Sequence, residues 1–235
     1  MTQIQQLALD LGIGHNLHTF ATFTAGCNAE VIAILHSLVN QPLSKSPSRM
    51  VYIWGEPESG KTHLLHGLNA DAMQNGIYSI YLTSYNRLDD FTLIEKPCIY
   101  CIDNIHLMSE DQQIAVFNLI NEIRNKPNSA IVTTGNYAPR DLKLREDVRT
   151  RMGWGLVYQL HALKEDDKKQ AIINNAKARG IILNIEIAEW LLQHTYSDMN
   201  SLIDVLDALD MYSLQHKKPV SLIMLKKMLQ EWAAA

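Results

Sequence analysis

The chain has 235 residues, 47% of them hydrophobic and 20% charged, enough for one medium domain or for a core plus a smaller cap. Its formal net charge is −4, with no block of like charges, so counterion release supplies little affinity and tight direct binding to DNA is not expected. No leader sequence or long uncharged apolar run occurs, and three cysteines do not make a disulfide framework, which predicts a soluble, cytoplasmic protein without a membrane span.

At the N-terminus, QLALDL sets Leu7, Leu9 and Leu11 at alternate positions behind Gln6. In an extended peptide these three side chains project the same way, with an amide at one end, which suits an apolar groove with a polar rim. Ile4, Leu7, Ala8 and Leu11 equally fit the stripe of a helix folded back on its own domain. The residues alone do not choose between the two.

The first apolar, β-rich run is MVYIW (50–54), and GEPESGKT follows it directly. This fits G-x-x-x-x-G-K-[ST] with Gly55, Gly60, Lys61 and Thr62, between a predicted strand and a predicted helix carrying Leu64, Leu65 and Leu68. Glycines let backbone N–H groups turn inward around phosphate oxygens, Lys61 reaches the terminal phosphates, and Thr62 is placed to bind Mg²⁺. Glu58 inside the loop has to point outward. His63 and His66 share a helix face but have no third ligand in view, so packing or exposure explains them better than metal binding.

The next runs are IYSIYL (77–82) and CIYCID (98–103). Cys98 and Cys101 spell C-x-x-C, yet three apart on a strand they point to opposite faces and read as core residues. Asp103 ends this strand about forty residues after the P-loop, where an acid holds the metal through Thr62 or water. The following residue, where many ATPases have a second acid, is Asn104, which cannot accept a proton. A helix from about 111 to 124 carries Ile114, Phe117, Ile120 and Ile123.

AIVTT (130–134) is the fourth run, ending in Thr134 with Asn136 just beyond, polar groups that in a P-loop sheet lie near the terminal phosphate, although Thr, Gly and Asn also simply make turns. REDVRTRMGWG then places Arg145, Arg149 and Arg151 in a predicted loop before the last run, LVYQL (156–160). A solvated basic loop is the ordinary reading of those arginines. Continuous apolar strands alternating with helices predict an α/β fold with a parallel sheet covered on both faces. From about Leu163 the pattern is all helical, starting with the acidic-first segment KEDDKKQAIINNAKARG and its C-terminal Gly180.

In their order, GEPESGKTHLLHG, CIDNIH, TTGNYAP and RTRMGWG, followed by a helical lid, resemble the AAA+ ATPases of the DnaA initiator branch from about Phe20 onward, with FATFTAGCNAEV similar to the segment leading into the nucleotide site. DnaA continues past its lid into a helix-turn-helix domain. A DnaA-like core without one resembles the Hda-type regulators of the DnaA family, which begin with a clamp-binding peptide of the form Gln-Leu-x-Leu-x-Leu.

The resemblance implies a P-loop NTPase core of five parallel strands with helices on both faces and a small α-helical lid, divided as a tail (1–19), a nucleotide-binding domain (20–162) and a lid (163–235). It implies ADP or ATP, with Mg²⁺ where bound, on Gly55, Gly60, Lys61, Thr62, Asp103 and Asn136. It makes Gln6, Leu7, Leu9 and Leu11 the ligand of the DNA polymerase III β sliding clamp (DnaN), so that DNA is met only through the clamp. It makes Arg151 an arginine finger delivered to ATP-bound DnaA, in a negative regulator with little or no ATPase activity of its own and the capacity to form a homodimer. Two departures stand out: Asp10 where the clamp peptide has proline, and Asn200 where the lid has a sensor arginine. The alternative is an autonomous ATPase of the DnaA or helicase-loader type.

Overall fold

The structure is a computed structural model that describes residues 18–45, 49–195 and 199–234. The peptide containing Gln6, Leu7, Leu9 and Leu11 lies outside the described residues. Backbone contacts divide the described chain into an α/β unit, residues 18–162, and a helical unit that begins at Leu163.

Five strands, β1 (Met50–Trp54), β2 (Tyr78–Leu82), β3 (Cys98–Ile102), β4 (Ser129–Gly135) and β5 (Leu156–Gln159), form one parallel sheet in the order β2-β3-β4-β1-β5. The helices are α1 (Ala29–Asn40), α2 (Lys61–Gln74), α3 (Glu110–Asn125) and α4 (Glu146–Met152). Every residue of β3 and β4 is buried, which is why β3 reads as an unbroken apolar run, while β4 also buries Ser129, Thr133 and Thr134. Period-two alternation then sorts their side chains between two cores. Val51, Ile53, Ile99, Cys101 and Val132 pack with Leu35 and Leu38 of α1 and Leu64, Leu65 and Leu68 of α2. Tyr52, Cys98, Tyr100, Ile102 and Ile131 pack on the other side with Val116, Leu119, Ile120 and Ile123 of α3 and Val148 and Met152 of α4. Cys98 and Cys101 therefore do lie in opposite cores, both as buried free thiols.

Ser109 caps α3, accepting from the Gln112 N–H while its own N–H donates to the Gln112 side chain, and Glu110 and Asp111 supply negative charge to the first turn. Two expectations are corrected here. Ile120 and Ile123 face the core as expected and Phe117 packs at its edge, but Ile114 is 41% exposed, and Val116 and Leu119 complete the inward stripe of α3. The arginine segment is not a loop but the helix α4, whose acidic start (Glu146, Asp147) and basic end (Arg149, Arg151) match the helix dipole and whose Val148 and Met152 bury one face.

The helical unit comprises α5 (Glu165–Ala178), α6 (Ile185–His194), α7 (Met199–His216) and α8 (Leu222–Ala234). Its own core joins Ile172, Ala176, Ile187, Leu191, Leu202, Leu206, Leu209, Leu225 and Met228. Gly180, at φ +78, ends α5: its N–H bonds the Lys177 carbonyl and that of Ile181 the Ala176 carbonyl, closing the last turn with the left-handed residue that only glycine adopts without strain. The nearly buried Arg179 then pairs with Asp207 of α7 and donates to the Asn175 carbonyl. Asn200 belongs to α7; its side chain lies outside what the structure describes.

Candidate functional site

The loop GEPESG runs from the end of β1 to the start of α2, and two of its glycines are required by shape. A Cβ at Gly55 would sit 2.3 Å from the Leu160 carbonyl oxygen, and one at Gly60, which has φ +97, would sit 2.9 Å from the Phe23 ring. Glu58 takes φ +65 with its side chain exposed, as the loop demands. Lys61 is 5% exposed and its Nζ donates to the carbonyls of Gly55 (2.9 Å) and Glu56 (2.7 Å) and to Ser59 Oγ (3.3 Å). Burial lowers the pKa of this ammonium, while the charge of Asp103 acts in the opposite direction. Held by neutral oxygens, with no carboxylate at ion-pair distance among the described residues, it is a cation suited to a polyphosphate.

Asp103 leaves the end of β3 3% exposed and accepts from three hydroxyls. Its Oδ2 receives Thr62 Oγ1 at 2.7 Å and the Tyr81 hydroxyl at 2.9 Å, and its Oδ1 receives Thr134 Oγ1 at 2.5 Å. Burial, and then the Asp103 charge, hold the Tyr81 phenol far above its usual range, so it remains a donor. A hydroxyl and a carboxylate oxygen in hydrogen-bond contact on Thr62 and Asp103 suit a hard cation that keeps several waters and takes phosphate oxygens, so the pair fits Mg²⁺. Asn104 sits in the left-handed region at φ 53, and its N–H donates to Thr134 Oγ1 at 2.9 Å.

Asn136, one residue beyond β4, donates through Nδ2 to His106 Nε2 at 3.0 Å. His106 follows β3 in a short 3-10 turn, close enough to Lys61 and Asp103 that their charges act on its pKa, which burial lowers. The segment before α1 closes the other side of the loop. The Asn28 side chain donates to the His161 carbonyl and accepts the His161 N–H, both at 2.9 Å, tying that segment to the exit of β5. His63 is pushed down to about 4 chiefly by burial and bonds the Thr19 carbonyl at 3.0 Å, while His66 stacks on Tyr81 at 4.3 Å. Both are packing histidines.

Lys61, Thr62, Asp103 and Thr134 thus converge, and Asn136 joins them by way of His106. The three arginines lie elsewhere. Arg145 pairs with Asp147 at 3.1 Å and Arg149 approaches Glu146 only at 4.0 Å. Arg151, on the last turn of α4, is half-buried: its Nε donates to Asn121 Oδ1 (3.1 Å), a terminal nitrogen donates to the Asp147 carbonyl (3.2 Å), and its guanidinium lies over the rings of Phe117 (3.9 Å) and Trp154 (4.4 Å). The expectation of an exposed arginine with few contacts in its own subunit is therefore corrected. Because α4 packs on α3, the guanidinium meets the α3 residues Phe117 and Asn121 directly.

Sequence reasoning missed Tyr81 and His106 in the nucleotide cluster, and Phe117, Asn121 and Trp154 around Arg151. Tyr81 reaches Asp103 only because its strand pairs beside β3, with Tyr81 opposite Cys101. No local pattern announces that pairing.

Residues 165–229 match the family model described as Hda, lid domain, and residues 40–178, more than half the chain, match the model described as novel STAND NTPase 3. Among solved structures, domain III of the Thermotoga maritima replication initiation protein DnaA superposes with a TM-score of 0.75 at 22% identity, over 91% of this chain and 96% of that one. AMPPCP-bound DnaA from Aquifex aeolicus gives 0.63 at 19%, over 81% and 63%, and the Thermotoga maritima RuvB Holliday junction branch migration motor 0.63 at 15%, over 90% and 73%. At these identities the structures establish the fold, and the two sequence models add the NTPase core and the lid. The chain belongs to the family described as novel STAND NTPase 3, with the AAA+ fold of DnaA domain III and C-terminal residues that match the Hda lid domain.

Proposed function

We propose that this chain is a DnaA-related negative regulator of replication initiation acting in the cytoplasm. Gln6, Leu7, Leu9 and Leu11 bind the β sliding clamp (DnaN) on DNA, the P-loop holds ADP or ATP with Mg²⁺ on Thr62 and Asp103, and Arg151 is presented to ATP-bound DnaA. The observation that carries this reading is the contrast between the two charged sites. The chain's own nucleotide site has Asn104 beside Asp103, an amide that cannot take a proton from water. Its Arg151 meanwhile carries a guanidinium oriented by two aromatic rings and a side-chain amide, with no carboxylate at ion-pair distance among the described residues, the nearby Asp147 being paired with Arg145.

A guanidinium spans two phosphate oxygens and stabilises charge as it spreads over the transferring phosphoryl group. Holding it in place beforehand lowers the entropy lost on meeting a neighbour's nucleotide. The reaction promoted is attack of water on the terminal phosphorus of DnaA-bound ATP, which breaks the bond to the bridging oxygen and gives inorganic phosphate, ADP and a proton, so that DnaA is left in its ADP form. Head-to-tail contact through the same finger is a route to a homodimer.

The alternative, an autonomous ATPase, draws on the complete Lys61, Thr62 and Asp103 set. Turnover of DnaA-bound ATP, measured with and without this protein, clamp and DNA, separates the two. Stimulation that requires clamp-loaded DNA supports the regulator; brisk Lys61-dependent hydrolysis by the isolated protein supports the alternative.

A further inference from the structure

We propose that Tyr81 restrains Asp103 as a metal-holding group, so that this site keeps its nucleotide with little dependence on Mg²⁺. The inference rests on the reading that the P-loop binds adenine nucleotide with the metal on Thr62 and Asp103, and deepens it. An ionised carboxylate offers about four lone-pair sites and donates nothing. Among the described residues, hydroxyls already fill three of those on Asp103: Thr62 at 2.7 Å and Tyr81 at 2.9 Å on Oδ2, and Thr134 at 2.5 Å on Oδ1. Oδ2 is the oxygen in contact with Thr62, and so the one that the water shell of a cation on Thr62 Oγ1 would reach first. Tyr81 occupies its second lone pair.

The phenol is held in that place from two sides. Thr62 and His66 stand four apart on α2 and so share a helix face; Thr62 bonds Asp103 while the His66 ring stacks on Tyr81, with centroids 4.3 Å apart and planes 15° from parallel. His18 stacks in turn on His66 at 5.7 Å. On the other side, β2 pairs Tyr81 with Cys101, two residues before Asp103. Toward a carboxylate a phenol only donates, so the lone pair it occupies is closed to any other donor. What this chain leaves to a cation is Thr62 Oγ1 and one lone pair of Asp103 Oδ1, on the Thr134 side. Mg²⁺ gives up its waters reluctantly, and those waters need acceptors. A carboxylate whose nearer oxygen is filled accepts fewer of them. Lys61, held by neutral oxygens, then remains the main cation for the phosphates. By linkage, a metal that binds the protein–ADP complex no more tightly than it binds free ADP leaves the affinity for ADP unchanged.

The test measures the affinity of the full chain for a fluorescent ADP analogue, in Mg²⁺ and in EDTA, for wild type, Tyr81→Phe, His66→Ala and Tyr81→Phe combined with Thr62→Val. Wild type should bind equally in the two conditions, to within about threefold. Tyr81→Phe keeps the ring and removes only the hydroxyl; a hydrogen bond to a charged acceptor is worth roughly tenfold, so Mg²⁺ should now tighten ADP about tenfold. His66→Ala, which loosens the phenol, should move the same way by less, and Thr62→Val should remove the gain. Mn²⁺ titrated into ADP-loaded wild-type protein, with free Mn²⁺ counted by electron paramagnetic resonance, reads the same quantity without any variant. It should bind no more than about threefold more tightly than to free ADP. Tightening of wild-type binding by either metal beyond about threefold overturns the proposal. So does a folded Tyr81→Phe whose Mg²⁺ dependence is unchanged or smaller, or a gain that survives Thr62→Val. A wild-type protein that binds ADP in neither condition removes the reading and the inference together.

Discussion

Arg151→Ala should destabilise the α/β unit measurably, because the guanidinium is built into the fold. The substitution removes a bond from Nε to Asn121, a bond to the Asp147 carbonyl, and two cation–π contacts at 3.9 and 4.4 Å. Hydrogen bonds of this kind contribute about 0.5 to 1.5 kcal/mol net each, and cation–π contacts at exposed sites about 0.5 to 1 kcal/mol each. The contacts share one group and are not additive, so the loss should be about 2 to 3 kcal/mol. For a protein of this size that lowers Tm by roughly 5 to 10 °C. Arg149→Ala is the control: among the described residues its guanidinium pairs with Glu146 alone, at 4.0 Å on a side chain 88% exposed, and such surface pairs contribute under about 1 kcal/mol. Thermal unfolding followed by circular dichroism separates the two variants. If Arg151→Ala melts with the wild type, the guanidinium is not held by α3 and Trp154, and the preorganisation argument fails.

Replacing Leu7 and Leu9 together by Ala should lower clamp affinity by two to four orders of magnitude, since each buried leucine contributes about 1.5 to 3 kcal/mol, while the melting temperature is unchanged; clamp pulldown checks this, and retention of the double variant refutes it. Lys61→Ala should abolish adenine-nucleotide binding in a calorimetric titration, because the cation inside the loop is gone; undiminished binding would dissociate the loop from the nucleotide. Gly60→Ala should cost about 1 to 3 kcal/mol, since a Cβ at φ +97 is strained and stands 2.9 Å from Phe23. A shift in denaturant midpoint measures that cost, and a neutral substitution would contradict the loop's backbone.

Much of the fold was legible because the signals were local. Cys98 and Cys101 separated to opposite cores by strand period alone, Leu64, Leu65 and Leu68 marked the buried face of α2, and Gly180 marked a helix end. In the nucleotide site, Gly60, Lys61 and Thr62 come from one short stretch, so spacing sufficed. What the sequence hid depends on pairing between distant segments. Tyr81 meets Asp103 because β2 flanks β3, an order no local pattern specifies. His106 stood inside a motif already singled out, but its partner Asn136 is thirty residues away. The helix α4 reads as a loop because its seven residues offer only Val148 and Met152 as an apolar signal, too little for periodicity to register. Arg151 reads as a surface residue for the same reason, since most of its platform, Phe117 and Asn121, belongs to α3.

The central claim is that Arg151 works on a neighbour's nucleotide. The direct measurement is turnover of ATP bound to DnaA, with clamp-loaded DNA and either wild-type protein, Arg151→Ala or Arg151→Lys, at a temperature well below every variant's melting point. Arginine fingers contribute about 10³ to 10⁵ in rate, and an ammonium cannot span two phosphate oxygens, so both variants should lose nearly all stimulation while still binding nucleotide and clamp. Full stimulation by folded Arg151→Ala would contradict the account.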